Sequence, residues 1–299
     1  MSDAGERRPL GSVPPPFPPF SLQMEGDDEE LERLKRKIEK DRGFNCQFYK
    51  EKCLRRRIAV RMRARGMRTF ADYNALLDRD PAEYEHLLDT LTINVTKFFR
   101  NLETWQAVEQ HVLPAVFEGR GPVKVWSAGA ASGEEAYTAS ILMREWLEKQ
   151  GRRGEEHRIR ITGTDIDRRS LEAARKGEYP DLSMTETPPR IRDRWFTGGP
   201  PWTVRPEARP GVEFERRDLI SGEALSGQHL IFCRNVMIYF DKATQRKILS
   251  RFVPLMKPDG LLFAGHSENF LYVSESLKLR GKTVYELDNA ARPAVQQRA

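Results

Sequence analysis

The sequence predicts an α/β protein: a mostly parallel, Rossmann-like sheet, preceded by a helical domain and interrupted by a small β-hairpin subdomain. Three observations carry this. Apolar runs of strand length at 123–128, 158–164, 229–233, 259–265 and 282–287 alternate with helical patterns at 132–149, 167–176 and 242–256, and such interleaving buries both faces of a parallel sheet. Before residue 121 the apolar period is helical from Asp27 onward. Between 195 and 217 glycines and prolines break the alternation around WTVR and VEFE, the mark of a hairpin excursion.

In chain order, residues 1–24 contain PPPFPPF and read as a Pro-rich flexible leader. Residues 25–92 form the expected helical domain. Its first helix, DDEELERLKRKIEKDRG, puts Leu31, Leu34 and Ile38 on one face and its acids in the first turn, as the helix dipole prefers. A second helix is expected over 47–65, before Gly66, and a third over 69–78. A fourth starts with Pro81 in its first turn and carries Tyr84, Leu87 and Leu88. Residues 93–120 hold a linking helix, about 101–118, and 121–289 the sheet domain, with the hairpin at 195–217; 290–299 is a tail.

Composition bounds the function. The chain has 299 residues, 39% hydrophobic and 31% charged, which suits a globular chain with a good core. No apolar run approaches the ~20 residues that span a bilayer, and the N-terminus lacks a secretory apolar region; a cytoplasmic protein without membrane insertion is expected. Cys46, Cys53 and Cys233 read as free thiols. The five histidines are scattered without ligand spacing, so no metal site is expected. Fifty basic against 44 acidic residues leave +6, which suggests an acidic partner without naming it.

Chemistry concentrates in a few segments. VWSAGAASGEEAY (125–137) is an apolar strand running into a turn of small residues and then a helix start, the crevice where nucleotide-like ligands sit in open α/β sheets. The small residues allow close approach, and the helix N-terminus offers free N–H groups. The turn is not GxGxxG, and its carboxylates Glu134 and Glu135 would repel a pyrophosphate and attract a cation. It therefore argues for S-adenosylmethionine over a dinucleotide; the alternative is an ordinary strand–helix turn. Asp165, ending the strand in RITGTDID, suits a ribose or a helix cap, and Asp167 suits the cap better.

FCRNVMIYFD (232–241) places Arg234, Asn235 and Tyr239 at a strand's carboxyl end, either facing the crevice or forming a structural loop with an aromatic plug. INVTKFFR (93–100) lies at the domain junction, where Asn94, Thr96 and Arg100 could meet a ligand and Phe98 and Phe99 could wall a pocket; the alternative is a capped helix start. In KCLRRRIAVRMRARGMR (52–68), Leu54, Ile58 and Met62 form a core face while Arg55, Arg57, Arg61 and their basic neighbours cover the rest. That is a surface for an anionic partner or a solvated face. GHSENF (265–270) offers His266 and Glu268 for acid–base work or for locking a loop.

INVTKFFR, VWSAGAASGEEAY, GTDID, FCRNVMIYFD and GHSENF, in this order and spacing, resemble the CheR family of chemotaxis receptor methyltransferases, over roughly 27–288. MKPDGLLFAGHSENF departs from the family's pattern only in Met256 for leucine. The resemblance implies methyl transfer from S-adenosylmethionine to glutamate side chains on the cytoplasmic helical bundle of chemoreceptors, releasing S-adenosylhomocysteine. It implies that Asn94, Thr96 and Arg100 line the cofactor and methyl-transfer site, Glu135 holds the methionine amino group and Asp165 the ribose. Asp218 and Leu219 match an Asn-Leu pair near the adenine, Asn235 and Val236 complete the pocket, and Tyr239 stands near the transferred methyl. The helix bearing Arg55, Arg57 and Arg61 resembles the family's surface for receptor helices. Asp218 replaces the common Asn, and the hairpin between Phe196 and Val212 is short, so binding of a receptor tether peptide is not carried over. Two other classes remain to be weighed: a nucleic-acid methyltransferase on the same fold, which the absence of a base-stacking platform disfavours, and a non-catalytic cofactor-binding adaptor.

Overall fold

The computed structural model describes residues 27–92 and 96–288. The leader, Asn94 and the tail lie outside these residues.

Four helices make the first domain: α1 (Asp27–Arg42), α2 (Glu51–Ala64), α3 (Phe70–Arg79) and α4 (Pro81–Leu91). Leu31, Leu34 and Ile38 pack against Leu54, Ile58, Met62, Tyr73 and Leu87 in one cluster, as the 3.6-residue period requires. Thr69 caps α3 by accepting from Asp72 N–H, and Asp80 caps α4 by accepting from Glu83 N–H with Pro81 in the first turn. The second helix starts at Glu51 and not at 47, because Cys46–Phe48 form a 3₁₀ turn and Tyr49 bridges to Phe240 of the sheet domain. That cross-domain pairing takes the backbone groups a longer helix would have used.

The linking helix is α5 (Leu102–Ala107), a π turn over Val108–Val112, and α6 (Leu113–Val116). Pro114 lacks the N–H that an unbroken α ladder needs, and the widened turn precedes it.

The second domain follows with β1 (Val123–Ala128), α7 (Glu134–Lys149), β2 (Ile159–Asp165), α8 (Arg168–Lys176), β3 (Glu178–Tyr179), α9 (Asp181–Met184), α10 (Pro189–Trp195), β4 (Phe196–Thr197), β5 (Trp202–Val204), β6 (Val212–Arg216), β7 (Gln228–Cys233), α11 (Lys242–Phe252), β8 (Met256–Ala264), β9 (Leu277–Gly281) and β10 (Val284–Leu287). The main sheet runs β6-β2-β1-β7-β8-β10-β9. Its first five strands are parallel, β10 is antiparallel to β8, and β9 is antiparallel to β10. Strand order reverses beside β1, which opens the crevice at its carboxyl end. One buried cluster includes Phe98, Trp105, Trp146 and Phe232, and another Trp126, Ile248, Leu249 and Phe270.

The segment expected as one hairpin, 195–217, divides. β4 and β5 pair with β3 in a separate three-stranded antiparallel sheet, whereas β6, the VEFE run, joins the main sheet parallel to β2. A sheet edge strand reads in sequence like a hairpin arm, and partners are chosen only in three dimensions. The reading missed β9 and opened the last strand early, at 282; residues 277–287 are a hairpin turning at Lys282 and Thr283.

A candidate cofactor and methyl-transfer site

A cleft opens where the carboxyl ends of β1, β2 and β7 meet the helical domain. Thr96, Arg100, Glu135 and Asp165 line it, as do Asp218, Leu219, Asn235, Val236 and Tyr239. These residues are spread over more than 140 positions of the chain, and the fold brings them to one space. Asn94 lies outside the described residues. Tyr49, Trp105, Arg217 and Arg234 also line the cleft; Arg234 was legible in FCRN, but Tyr49 reaches the cleft only through its pairing with Phe240.

The turn after β1 forms the floor. Gly129 has φ +83°, and a Cβ there would lie 2.4 Å from Val236 Cγ2, so only glycine lets the two loops approach. Gly129 and Ala130 N–H both donate to Thr164 O, and Ala131 N–H donates to Asp165 Oδ2 at 2.9 Å. These turn groups are spent within the fold. The turn offers carboxylates instead.

The two adjacent glutamates separate. Glu134 is buried away from the cleft, accepting from Ser132 Oγ at 2.7 Å and Ser183 Oγ at 3.0 Å. Glu135 faces the cleft, accepts from Ser127 Oγ at 2.7 Å, and has Arg234 Nη1 3.5 Å from Oε2. Burial pushes the Glu135 carboxyl above its ordinary value, while Arg234 and Ser127 oppose that. A cation bound there would favour the ionised form. Asp165 is also pushed up by burial, against the N–H groups of Asp167 and Ala131. Asp167 accepts from Arg169 N–H and Ser170 Oγ, so it is the cap of α8 and Asp165 remains on the cleft.

Arg100 sits between Phe99 (φ +54°) and Asn101 (φ +60°), both left-handed. Non-glycine residues held there are strained and mark sites where geometry is imposed. The loop is tied by Phe99 N–H to Thr138 Oγ1 at 3.1 Å, Asn101 N–H to Glu186 Oε2 at 2.8 Å, and Arg234 Nη2 to Arg100 O at 2.8 Å. Phe98 and Phe99 do not wall the cleft. They are core residues, with Phe98 edge-on to Tyr179 and Phe196, because the turn rotates Arg100 toward the cleft and the rings away.

Asn235 is left-handed too (φ +60°), and its buried Oδ1 has no hydrogen-bond partner among the described residues, a position where a ligand donor fits. Glu268 locks this segment by accepting from Asn235 N at 2.8 Å, Ile238 N at 3.2 Å and Gly265 N at 2.6 Å. GHSENF is thus a loop lock, and Glu268 is a support of the site. Asp218 closes its own turn, accepting from Ile220 N–H at 2.9 Å; an Asn side-chain oxygen could accept the same bond.

The helical domain seals the other side. Lys50 N–H donates to Tyr239 O at 2.9 Å, Lys50 Nζ to Ile238 O at 2.8 Å, and the Arg57 guanidinium lies 5.8 Å from the Tyr239 ring centre. Of the basic-helix arginines, Arg57 therefore reaches the site and also donates to Thr90 O. Arg55 and Arg61 do not face a partner as expected. Arg55 is buried and pairs with Asp28, and Arg61 binds the fully buried Glu83 through Nε at 2.9 Å. The helix's exposed basic side chains are Lys52, Arg56 and Arg63. Spacings of four and seven put them on one face.

The donor set fits an adenosyl sulfonium ligand. It combines an anionic Glu135 end, an Asp165 acceptor, an unpartnered Asn235 acceptor and a glycine floor. Among the described residues no cluster of His, Cys, Asp and Glu could hold a metal ion, and no helix is long and apolar enough to cross a membrane.

Comparison with known proteins agrees with this geometry. Residues 29–92 match the CheR methyltransferase, all-alpha domain, and residues 94–285 the CheR methyltransferase, SAM binding domain. A chemotaxis protein methyltransferase of Klebsiella aerogenes is 39% identical over 270 residues, covering 87% of this chain and 90% of that protein. Chemotaxis protein methyltransferase 2 of Pseudomonas aeruginosa is 34% identical, covering 86% and 92%. That of Escherichia coli is 35% identical, covering 87% and 91%.

Proposed function

The chain belongs to the CheR methyltransferase family and is an S-adenosylmethionine-dependent methyltransferase of chemotaxis, and from that premise we propose that its methyl acceptors are glutamate side chains on the cytoplasmic helical bundle of a chemoreceptor. Neither nucleic-acid methylation nor a non-catalytic adaptor role is favoured by these matches. The proposed site of action is the cytoplasm.

The observation that carries the reading is the meeting of Arg57 with Tyr239, the guanidinium 5.8 Å from the ring centre, beside a cleft that Glu135 also lines. A cation of the helical domain stands beside Tyr239, and the Glu135 carboxyl lines the same cleft. This suits an incoming carboxylate and a positively charged donor. Glu135 would hold the amino group of the donor, Asp165 its ribose, and Asp218, Leu219, Asn235 and Val236 its adenine, with Thr96 and Asn94 closing the pocket. S-adenosylmethionine supplies a methyl group activated by its sulfonium.

The protein's task is positioning. A free glutamate has a pKa of about 4.3 and is ionised at neutral pH, so no general base is required. Orientation can supply about 7–11 kcal/mol of a barrier. Arg100 and Tyr239 would hold the acceptor carboxylate in line, on a segment whose conformation Glu268 and Arg234 enforce. Lys52, Arg56 and Arg63, exposed on one face of α2, would meet acidic receptor helices. Arg55 and Arg61 would serve that surface by holding α2 in place.

Incubation with tritium-labelled S-adenosylmethionine and receptor-bearing membranes tests the reading. Base-labile label on receptor peptides that map to glutamate is expected. Label in RNA, or none on protein, overturns it.

A further inference from the structure

At the opposite end of the sheet, below the amino ends of β1, β2 and β7, lie two adjoining depressions of about 620 and 210 Å³. They share Pro122, Lys124 and Arg158. Arg120, His157 and Arg160 complete the charged lining of the larger one, and His229 and Lys257 that of the smaller. Among the described residues no carboxylate lines either space. Glu155 is occupied by Arg152 and Arg158, and the exposed Asp259 acts on His229 only through space. Arg158 is spent on Gly119 O and Gly121 O, which fixes the rim. Among the described residues Arg120 and Lys124 have no ion-pair partner.

Like charges gathered in a concave space are costly unless an anion joins them. A second, independent observation points the same way. His229 Nδ1 accepts from Lys124 N–H at 3.0 Å. Burial, with Lys257 beside it, holds His229 below its ordinary value, so the ring is neutral near pH 7 and carries its one hydrogen on Nε2. Lys257 Nζ lies 2.9 Å from that same Nε2. Two donors therefore face each other with no acceptor between them. An oxyanion seated beside the pair would accept from both.

We propose that this basic double depression is a binding site for a small soluble phosphate ester carrying at least two phosphate groups, separate from the methyl-transfer cleft. Lys257 and His229 take one phosphate, and Lys124, Arg120 and Arg160 the other. The ligand is a small molecule and not a membrane surface, because the cations converge on two concave depressions walled by Val116, Pro122 and Leu225. The site sits on the amino ends of the strands whose carboxyl ends form the cofactor floor, so β1 connects the two.

The test is calorimetric titration of the full chain with inorganic pyrophosphate at roughly 150 mM salt, where exposed charges are screened beyond ~8 Å. Saturating S-adenosylhomocysteine keeps the cleft closed to the probe. One saturable site is expected, with a perturbed His229 ring signal by NMR. Lys124→Gln combined with Lys257→Gln should weaken it by about tenfold or more, the worth of a charged hydrogen bond. Lys52→Gln with Arg56→Gln, equal in charge but elsewhere, should leave it unchanged. Absence of saturable binding, equal loss in both double variants, or capture by phosphatidylglycerol vesicles without pyrophosphate binding would each overturn the assignment. Circular dichroism of the Lys124/Lys257 variant separates lost binding from lost folding.

Discussion

Arg234 Nη1 lies 3.5 Å from Glu135 Oε2 on the floor of the cleft, while Arg234 Nη2 holds the carbonyl of Arg100 at 2.8 Å. One buried guanidinium thus joins the cleft-facing Glu135 carboxylate to the loop that carries Arg100. On the proposed roles of Glu135 and Arg100, this contact couples donor binding to acceptor orientation.

That coupling makes cofactor affinity depend on pH with a definite sign. Burial raises the Glu135 carboxyl, and a cationic ligand binds its ionised form. Affinity for S-adenosylmethionine should be flat above the raised value and fall as pH drops through it toward the ordinary carboxylate range. Glu135→Gln should lose about tenfold or more in affinity and abolish this slope. Calorimetry at several pH values from neutral downward decides it, and an unchanged slope in the variant removes Glu135 from the amino-group role.

Arg100→Ala and Tyr239→Phe should reduce the single-turnover rate by about a hundredfold and tenfold, within the range for lost positioning, with little change in cofactor affinity. Equal losses in both quantities would mean that these side chains bind the donor and do not orient the acceptor.

Neutralising the exposed face of α2 and breaking its inner face should give different phenotypes. Lys52→Gln, Arg56→Gln and Arg63→Gln should raise the KM for receptor, and added salt should shrink the difference from the native chain. Arg61→Gln should instead cost about 3 kcal/mol of stability, because Glu83 is wholly buried. Burial alone would raise the Glu83 carboxyl, but the hydrogen bonds from Arg61 and Tyr73 hold it below its ordinary value. Its stabilisation is therefore present at neutral pH and lost as pH falls through that lowered value. Denaturant melts at several pH values check this.

Gly129→Ala should lower both stability and cofactor affinity, since φ is +83° and the new Cβ would lie 2.4 Å from Val236 Cγ2. The conformational part is about 1 kcal/mol. Adding Val236→Ala should recover the part due to the clash and leave the backbone part. Thermal melts of the single and double variants give the division, and no recovery would place the whole cost in the backbone.

Glu268→Gln should destabilise the Asn235–Tyr239 segment, because the carboxylate accepts from three backbone N–H groups and an amide offers one oxygen. A loss of about 1–3 kcal/mol is expected, together with a slower turnover. Turnover that stays unchanged despite lost stability would show that the lock serves folding alone.

Much of the architecture was legible in the chain itself. Strand runs of 4–8 apolar residues between amphipathic helices can bury both faces only as a parallel sheet, and the caps at Thr69 and Asp80 follow from local geometry. The cleft residues were legible because sites in such folds collect at strand carboxyl ends. Two-residue strands such as β3 and β4 left no periodic trace.

Local pattern thus established the α/β class, the domain order and several of the short segments that line the cleft, because backbone periodicity, capping and charge act over a few residues. Contacts between distant segments decided the rest. Glu135 turned to the cleft and Glu134 away, VEFE joined the main sheet, and Arg55 and Arg61 found Asp28 and Glu83 and not a partner protein. Side chains of one residue type and near-identical local pattern were sorted by burial and by partners up to 49 positions off, and such pairings arise only when the chain has packed.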